Sequence, residues 1–82
     1  MARGQYRLEG TQTFYYASRQ KQWEVTYRDG RKTGVETYWG DDGRKQWERS
    51  YSAGGGWTGK IFDRAGRVSA ESRWKGKILV EV

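Results

Sequence analysis

Lys21-Gln22-Trp23-Glu24 recurs as Lys45-Gln46-Trp47-Glu48, which lies 24 residues further along the chain. A repeat of this kind is the first guide to the fold, because each copy builds one structural unit. The same shift pairs Gly10 with Gly34, Thr13 with Thr37, Tyr27 with Tyr51 and Gly30 with Gly54, and a shorter third copy carries Gly59, Phe62, Glu71 and Trp74. We therefore expect one domain over residues 1–82, with repeats at approximately 10–33, 34–58 and 59–82.

Each repeat predicts two short strands joined by a glycine turn. Trp23, Val25 and Tyr27 alternate with polar residues, which is the period of a half-buried strand. Asp29-Gly30 follows and favours a type I′ hairpin turn, whose central residues need a positive φ. A second strand over 34–39 comes next, and the twelve glycines work against helices. The sequence thus predicts an all-β fold, a single antiparallel β-meander of about 6–8 short strands built from tandem hairpin repeats of ~24 residues.

The apolar area of this chain comes mostly from aromatic rings, which make up 16% of the residues. Neighbouring rings on adjacent strands stabilise a sheet beyond simple burial. We expect the rings at repeated positions to form a structural ladder of three rows: Trp23, Trp47 and Ala70; Tyr27, Tyr51 and Trp74; and Phe14, Tyr38 and Phe62.

The composition excludes several classes of function. The chain has neither Cys nor His, so the commonest metal ligands and the commonest general base are missing. We expect no catalytic residue, no metal site and no cofactor. The N-terminal residues lack the apolar stretch of a signal peptide, and a cytoplasmic location is expected. The net charge of +6 biases the partners toward anions, although a small soluble domain often carries such a charge without any partner.

Two stretches of the sequence resemble a known repeat family. Thr33-Gly34-Val35-Glu36-Thr37-Tyr38-Trp39 and Asp42-Gly43-Arg44-Lys45-Gln46-Trp47-Glu48 resemble MORN-type repeats, in the short variant of small bacterial proteins described as YwqK-like antitoxins. Phe62-Asp63-Arg64-Ala65-Gly66-Arg67 has a weaker similarity to Rhs-type YD repeats. The resemblance covers about residues 10–76 and implies hairpin repeats, no catalysis and a role in neutralising or scaffolding a partner protein, with acidic phospholipid as a further ligand. The sequence departs from the pattern at Gly54-Gly55-Gly56-Trp57.

Three aromatic residues are candidates for partner binding. If Phe14 and Tyr38 face inward, strand alternation turns Tyr15 and Trp39 to the opposite face, and Trp57 follows a glycine-rich turn. Aromatic rings among cations suit a protein interface and equally suit stacking on nucleic acid; a sheet with rings on both faces for structural reasons alone is the third interpretation. The candidate cations are Arg28, Arg31, Lys32, Arg44, Lys45 and Lys60.

Two further features have structural interpretations. Glu24, Glu48 and Glu71 share one repeat position, and we expect scaffold charges paired across strands with Arg28, Arg49 or Arg73. The aliphatic strand over 77–82 would form an exposed edge, so that it either folds back onto the sheet or forms a homodimer.

The sequence thus predicts a non-enzymatic binding module. Its first interpretation is a small inhibitor or antitoxin-like protein that occludes an acidic partner surface. The alternatives are a nucleic-acid-binding sheet and binding of acidic phospholipid.

Overall fold

The chain forms one seven-stranded antiparallel sheet, in which each strand pairs with its neighbours in sequence. The computed structural model describes residues 8–75 and 78–81. No helix occurs within these ranges, and none of the described residues belongs to a helix that could cross a membrane. The predicted all-β meander is therefore confirmed. The strands are β1 (Gly10–Tyr15), β2 (Lys21–Arg28), β3 (Arg31–Trp39), β4 (Lys45–Tyr51), β5 (Gly56–Phe62), β6 (Val68–Lys75) and β7 (Ile78–Glu81).

The turns follow the glycine pattern of the sequence. Asp29 and Gly30 have φ angles of 53° and 78°, which is the positive pair that the predicted type I′ turn between β2 and β3 requires. Four other turns share a five-residue loop, over 16–20, 40–44, 52–56 and 63–67. In each loop the first N–H donates to the last carbonyl, and the fourth N–H donates to the first carbonyl. The fourth residue has a positive φ in every loop and is Arg19, Gly43, Gly55 or Gly66.

The sheet is a single layer, with principal extents of 49 × 37 × 15 Å. Val25 is the one fully buried hydrophobic side chain among the described residues. Several large apolar side chains stay exposed, including Ile61 at 55% and Val35 at 48%. Since no second layer covers the described strands, contacts between side chains on adjacent strands provide most of the apolar burial.

The register places the repeated rings on alternate strands. Trp23 on β2 and Trp47 on β4 are separated by Tyr38 on β3, which pairs with both. Residues at the same repeat position therefore do not lie on adjacent strands, contrary to the prediction. Residues from two of the predicted rows alternate along one row of the sheet instead. Trp23, Tyr38 and Trp47 belong to one continuous row that crosses β1 to β6: Phe14, Trp23, Tyr38, Trp47, Ile61 and Ala70.

Phe62 does not belong to the row in which the sequence pattern placed it. Ile61 lies opposite both Trp47 and Ala70, whereas Phe62 pairs with Val68 beyond a register shift. The third repeat is one residue shorter before Phe62, because Ile61, which takes the row position of Tyr38, follows it by 23 residues instead of 24. A slip of one residue moves a side chain to the other face of a strand, so Phe62 joins Tyr15 and Trp39.

The last strand, β7, pairs with β6 and forms one edge of the sheet. Leu79 and Val80 are exposed on it. Lys77 and Val82, which belong to the predicted edge strand, lie outside the described residues. A homodimer through this edge stays a prediction.

Candidate functional site

The two faces of the sheet differ in chemistry. One face, here called the aromatic face, carries the continuous ring row together with Glu36, Arg49, Tyr51, Trp57 and Trp74. The opposite face, called the polar face, carries Tyr15, Trp39 and Phe62 beside Thr and Ser side chains such as Thr11, Thr26, Ser50 and Thr58. The Oγ1 atoms of Thr11 and Thr26 share a 2.8 Å hydrogen bond on the polar face.

Each of the hairpins β1–β2, β3–β4 and β5–β6 contributes one stacked pair of rings to the aromatic face. Phe14 and Trp23 have centroids 5.0 Å apart with an interplanar angle of 18°, and Tyr38 and Trp47 have values of 5.6 Å and 6°. The third pair, Trp57 and Trp74, is at 5.1 Å and 5°. The rings therefore stand against one another across the strands, with stacked faces in contact.

The β5–β6 hairpin carries its ring pair in a different row. Trp57 lies between Tyr51 and Trp74 in the register, at the end of the strands where the earlier copies have glycine. Ile61 and Ala70 occupy the positions where the earlier copies stack rings. A depression of about 820 Å³ is lined by Trp47, Arg49, Trp57, Gly59, Ala70 and Ser72 of the aromatic face, and also by residues outside that face such as Lys45, Glu48 and Lys60.

Arg49 lines this depression and contacts two indole rings. Its guanidinium carbon is 4.4 Å from the Trp57 centroid and 5.1 Å from the Trp47 centroid. Gly59, directly across from Arg49, leaves the space for the ring, since a Cβ there would lie 3.2 Å from Cζ3 of Trp57. Tyr51 also contacts Trp57, at 6.3 Å between centroids. The Arg49 guanidinium thus makes cation–π contacts with two indole rings.

Glu36 is the centre of a buried polar cluster on the aromatic face and is only 1% exposed. Its carboxylate accepts hydrogen bonds from Trp23 Nε1 at 2.6 Å and from the Tyr51 hydroxyl at 2.5 Å, and Lys32 Nζ lies 3.1 Å away. Burial raises the pKa of Glu36, but the bonds from Tyr51, Lys32 and Trp23 together hold it below its usual value. Burial and the bond to Glu36 raise the pKa of Tyr51. The cluster is fully hydrogen-bonded, which is what a buried charge requires.

The structure separates the three predicted partner-binding rings. Tyr15 is 58% exposed and lies with Trp39 on the polar face. Trp57 lies on the aromatic face and is half-buried there. Trp57 pairs with Tyr51 and Trp74 in the aromatic rows, so it does not share a face with Tyr15 and Trp39. A role of the three rings in partner binding stays a prediction.

On the polar face, lysines alternate with rings along one line. Lys21 Nζ lies 5.6 Å from the Trp39 centroid, and Lys45 Nζ lies 5.5 Å from the Phe62 centroid. Each lysine also pairs at 3.3 Å with a glutamate three residues later, Glu24 for Lys21 and Glu48 for Lys45. These glutamates were expected to pair with Arg28, Arg49 or Arg73, so the structure corrects their partners. Lys60 lies opposite Glu48 and Glu71 in the register, which further balances the charge of this face.

The other predicted cations are spread over the sheet. Lys32 is engaged with Glu36 and lies 5.8 Å from the Trp23 centroid, which makes it part of the scaffold. Arg28 and Arg31 face each other beside the Asp29-Gly30 turn and are exposed. Arg44 contacts Asp42 at 3.9 Å in an exposed loop. The structure therefore does not bring these cations to one surface.

Arg49 and Glu36 were not singled out as functional by the sequence patterns, but a comparison of the repeats could have found them. Arg49 stands at the repeat position of Val25, which is fully buried, and Glu36 stands at that of Gln12. A charged residue that replaces a neutral one in a single copy of the repeat is not needed by the repeated fold, and this indicates a role specific to that copy. Within residues 8–75 and 78–81 no group of acidic residues is arranged to hold a metal ion.

The comparisons with known proteins add no relative. No family model matches the chain, and neither a curated protein nor a solved structure is detectably similar to it.

Proposed function

We propose that this protein is a non-enzymatic binding module that docks an acidic partner protein on its aromatic face. The observation that carries the proposal is an uncovered sheet face on which stacked Trp, Tyr and Phe rings surround an arginine. Trp, Tyr and Arg are the residue types that dominate binding energy in protein interfaces. A rigid, preassembled surface of this kind loses little side-chain entropy when a partner binds.

The stacking geometry favours a protein partner over single-stranded nucleic acid. Binding of bases on a sheet needs exposed ring faces. Here the Trp57 ring contacts Trp74 on one side and the Arg49 guanidinium lies over it at 4.4 Å. Trp47 is similarly engaged, by Tyr38 and Arg49. Contact with a partner through the exposed remainder of these side chains is compatible with such stacks, whereas base stacking would require them to open.

Charge supplies the preference for an acidic partner. The net charge of +6 attracts an acidic surface over a distance and speeds association. At short range the aromatic face presents Arg49, since Lys32, the other cation that the described residues place on this face, is paired with Glu36. The resemblance to MORN-type and antitoxin-like repeats agrees with this function, and steric occlusion of the partner is the mechanism we propose.

A pair of matched variants tests which face binds. Ile61→Glu places a negative charge on the aromatic face, and Val35→Glu places one on the polar face, at sites with exposed fractions of 55% and 48%. We expect affinity capture from the native host at low salt to retain an acidic protein with the wild type and with Val35→Glu. Ile61→Glu should lose that protein while keeping the circular dichroism spectrum of the sheet.

Each other outcome has a definite meaning. Binding of the purified captured protein should weaken as salt rises, as expected for a charge-steered complex. Loss of the captured material after nuclease treatment would indicate nucleic acid as the ligand and contradict the proposal. Equal capture by both variants would remove the aromatic face as the docking surface.

A further inference from the structure

The charge of Arg49 is not needed for its packing between strands. Its guanidinium has no ion-pair partner among the residues that the structure describes, although two indole rings fix its position. Glu36 lies directly across from it in the register, but the Glu36 oxygens are engaged by Trp23, Lys32 and Tyr51. The nearest buried negative charge is therefore already compensated.

The geometry of the Arg49 guanidinium determines which chemical group it can bind. Its N–H donors lie in the plane of the group, and its two faces are the parts that stack on rings. Both Trp47 and Trp57 contact the Arg49 guanidinium, which also hydrogen-bonds with Tyr51, so the donors available to a ligand are the other N–H groups at its edge. A carboxylate fits two such donors side by side, and charge-assisted bonds of this type are stronger than neutral ones.

The depression beside Arg49 has a floor of small residues. Gly59, Ala70 and Ser72 line it, and Trp74 and Ile61 form part of its border. In the first two repeats the position of Ala70 is filled by a Trp. The space that this ring would occupy is open on the aromatic face, and its apolar border suits an apolar side chain.

We propose that Arg49 and the adjacent depression form a receptor for a partner-protein carboxylate side chain that is next to an apolar side chain in sequence. The carboxylate binds the edge of the Arg49 guanidinium, and the apolar side chain occupies the space above Ala70. This inference rests on the proposed function and specifies what the aromatic face recognises.

The probes are two capped peptides, acetyl-Gly-Phe-Glu-Gly-amide and the same peptide with Gln in place of Glu. The indole N–H signals of the five tryptophans report the site by NMR, because Trp47, Trp57 and Trp74 border the depression and Trp39 lies on the polar face. We expect the Glu peptide to shift the three bordering signals with a dissociation constant in the millimolar range, ~1–10 mM. The Gln peptide should bind about tenfold more weakly, since it lacks the charge-assisted bonds.

Two variants test the protein side of the contact. Arg49→Gln should lose the preference for Glu over Gln, and Ala70→Trp should lose binding of both peptides by filling the depression. Ala70→Trp introduces the residue that the first two repeats carry at this position, so we expect this variant to fold. It therefore still tests the site if Arg49→Gln fails to fold. Arg28→Gln, an exposed change elsewhere on the sheet, is the control and should bind as the wild type does.

Several results would overturn the inference. One is equal binding of the Glu and Gln peptides, and another is a shift confined to Trp39. The absence of any shift at about 10 mM peptide would do the same. Sodium acetate that binds as tightly as the Glu peptide would overturn the assignment of the depression to an apolar neighbour. If the peptides fail while Ile61→Glu still abolishes partner capture, the proposed function stands and this receptor does not.

Discussion

The indole Nε1 of Trp23 donates a 2.6 Å hydrogen bond to Oε2 of Glu36, on the strand next to its own. This bond ties the ring row of the aromatic face to the buried carboxylate. Tyr51 on β4 reaches the same carboxylate from the other side. A single acidic group thus links three consecutive strands of a sheet that has no second layer over its described residues.

Replacement of Glu36 by Gln should therefore lower the free energy of unfolding by about 2 kcal/mol or more, because it leaves Lys32 without its ion pair and disturbs the bonds to Trp23 and Tyr51. Urea unfolding followed by tryptophan fluorescence measures the change. Glu71→Gln, an exposed substitution of the same kind, is the control for loss of one negative charge. Equal destabilisation by both variants would contradict a structural role of the Glu36 cluster.

The pKa of Glu36 predicts how stability depends on acid. Because the folded state holds this pKa below its usual value of 4.5, the stabilisation is complete above about pH 4.5 and is lost as the pH falls through the folded-state pKa. The unfolding free energy of the wild type should fall more steeply below pH 4.5 than that of Glu36→Gln. Parallel curves for the two proteins would show that Glu36 does not contribute.

Arg19 should be replaceable by Gly with a gain in stability. Its φ of 75° lies in the left-handed region, where the equivalent loop residues are Gly43, Gly55 and Gly66. Relief of this conformation should raise the unfolding free energy by about 0.5–1 kcal/mol, net of the entropy that Gly loses on folding. The reverse change, Gly66→Ala, has open space around the new Cβ and should cost about 1 kcal/mol through the backbone alone. Destabilisation by Arg19→Gly would indicate that the arginine side chain contributes more than its backbone strain costs.

Gly59→Ala should disturb the Arg49 site through the Trp57 ring. The new Cβ would lie 3.2 Å from Cζ3 of Trp57 and 3.3 Å from Oγ of Ser72, so the ring must shift. We expect a loss of about 1 kcal/mol and a changed tryptophan fluorescence spectrum, since overpacking costs more than the improved strand propensity returns. Gly54→Ala, where nothing lies within 4 Å, is the matched control and should stay within about 0.5 kcal/mol of the wild type.

Tyr16 should ionise late in an alkaline titration. Its hydrogen bond with Tyr38, together with burial, raises its pKa to about 12. The hydroxyl donates to the Trp39 carbonyl at 2.7 Å, so the stabilisation is present below pH 10 and is lost as the pH rises through about 12. Tyr16→Phe should remove one late phenolate from the ultraviolet titration, because the late-ionising hydroxyl is then missing. Retention of the same number of late-ionising tyrosines would contradict this assignment.

The repeat and the turn residues predicted the strands because both depend on local sequence. Asp29-Gly30 needs only two residues in the left-handed region to specify its turn. The face of a side chain depends on register, which is less local. The missing residue of the third repeat moved Phe62 to the polar face, while Trp57 entered the aromatic rows. Because side chains alternate between the two faces of a strand, a shift of one residue is enough to change the face.

The Arg49 site was hidden for a related reason. Its parts come from β4, β5 and β6, and each residue type is ordinary in a basic, aromatic-rich chain. Only the cross-strand pairing of Arg49 with Gly59 brings the guanidinium against Trp57. Sequence spacing shows which positions repeat, but it does not show which small residue leaves room for a ring on the neighbouring strand.

The nearest-neighbour order of the strands has a consequence for how the protein folds and opens. Every ladder in the sheet joins segments that are adjacent along the chain, so each closes only a short loop and low contact order favours rapid folding. Stability then accumulates one interface at a time, as in linear repeat arrays. Amide hydrogen exchange should accordingly be fastest in the two outer strands, β1 and β7, and slowest around Glu36. Local unfolding should then begin at the edges of the sheet and reach β3 last.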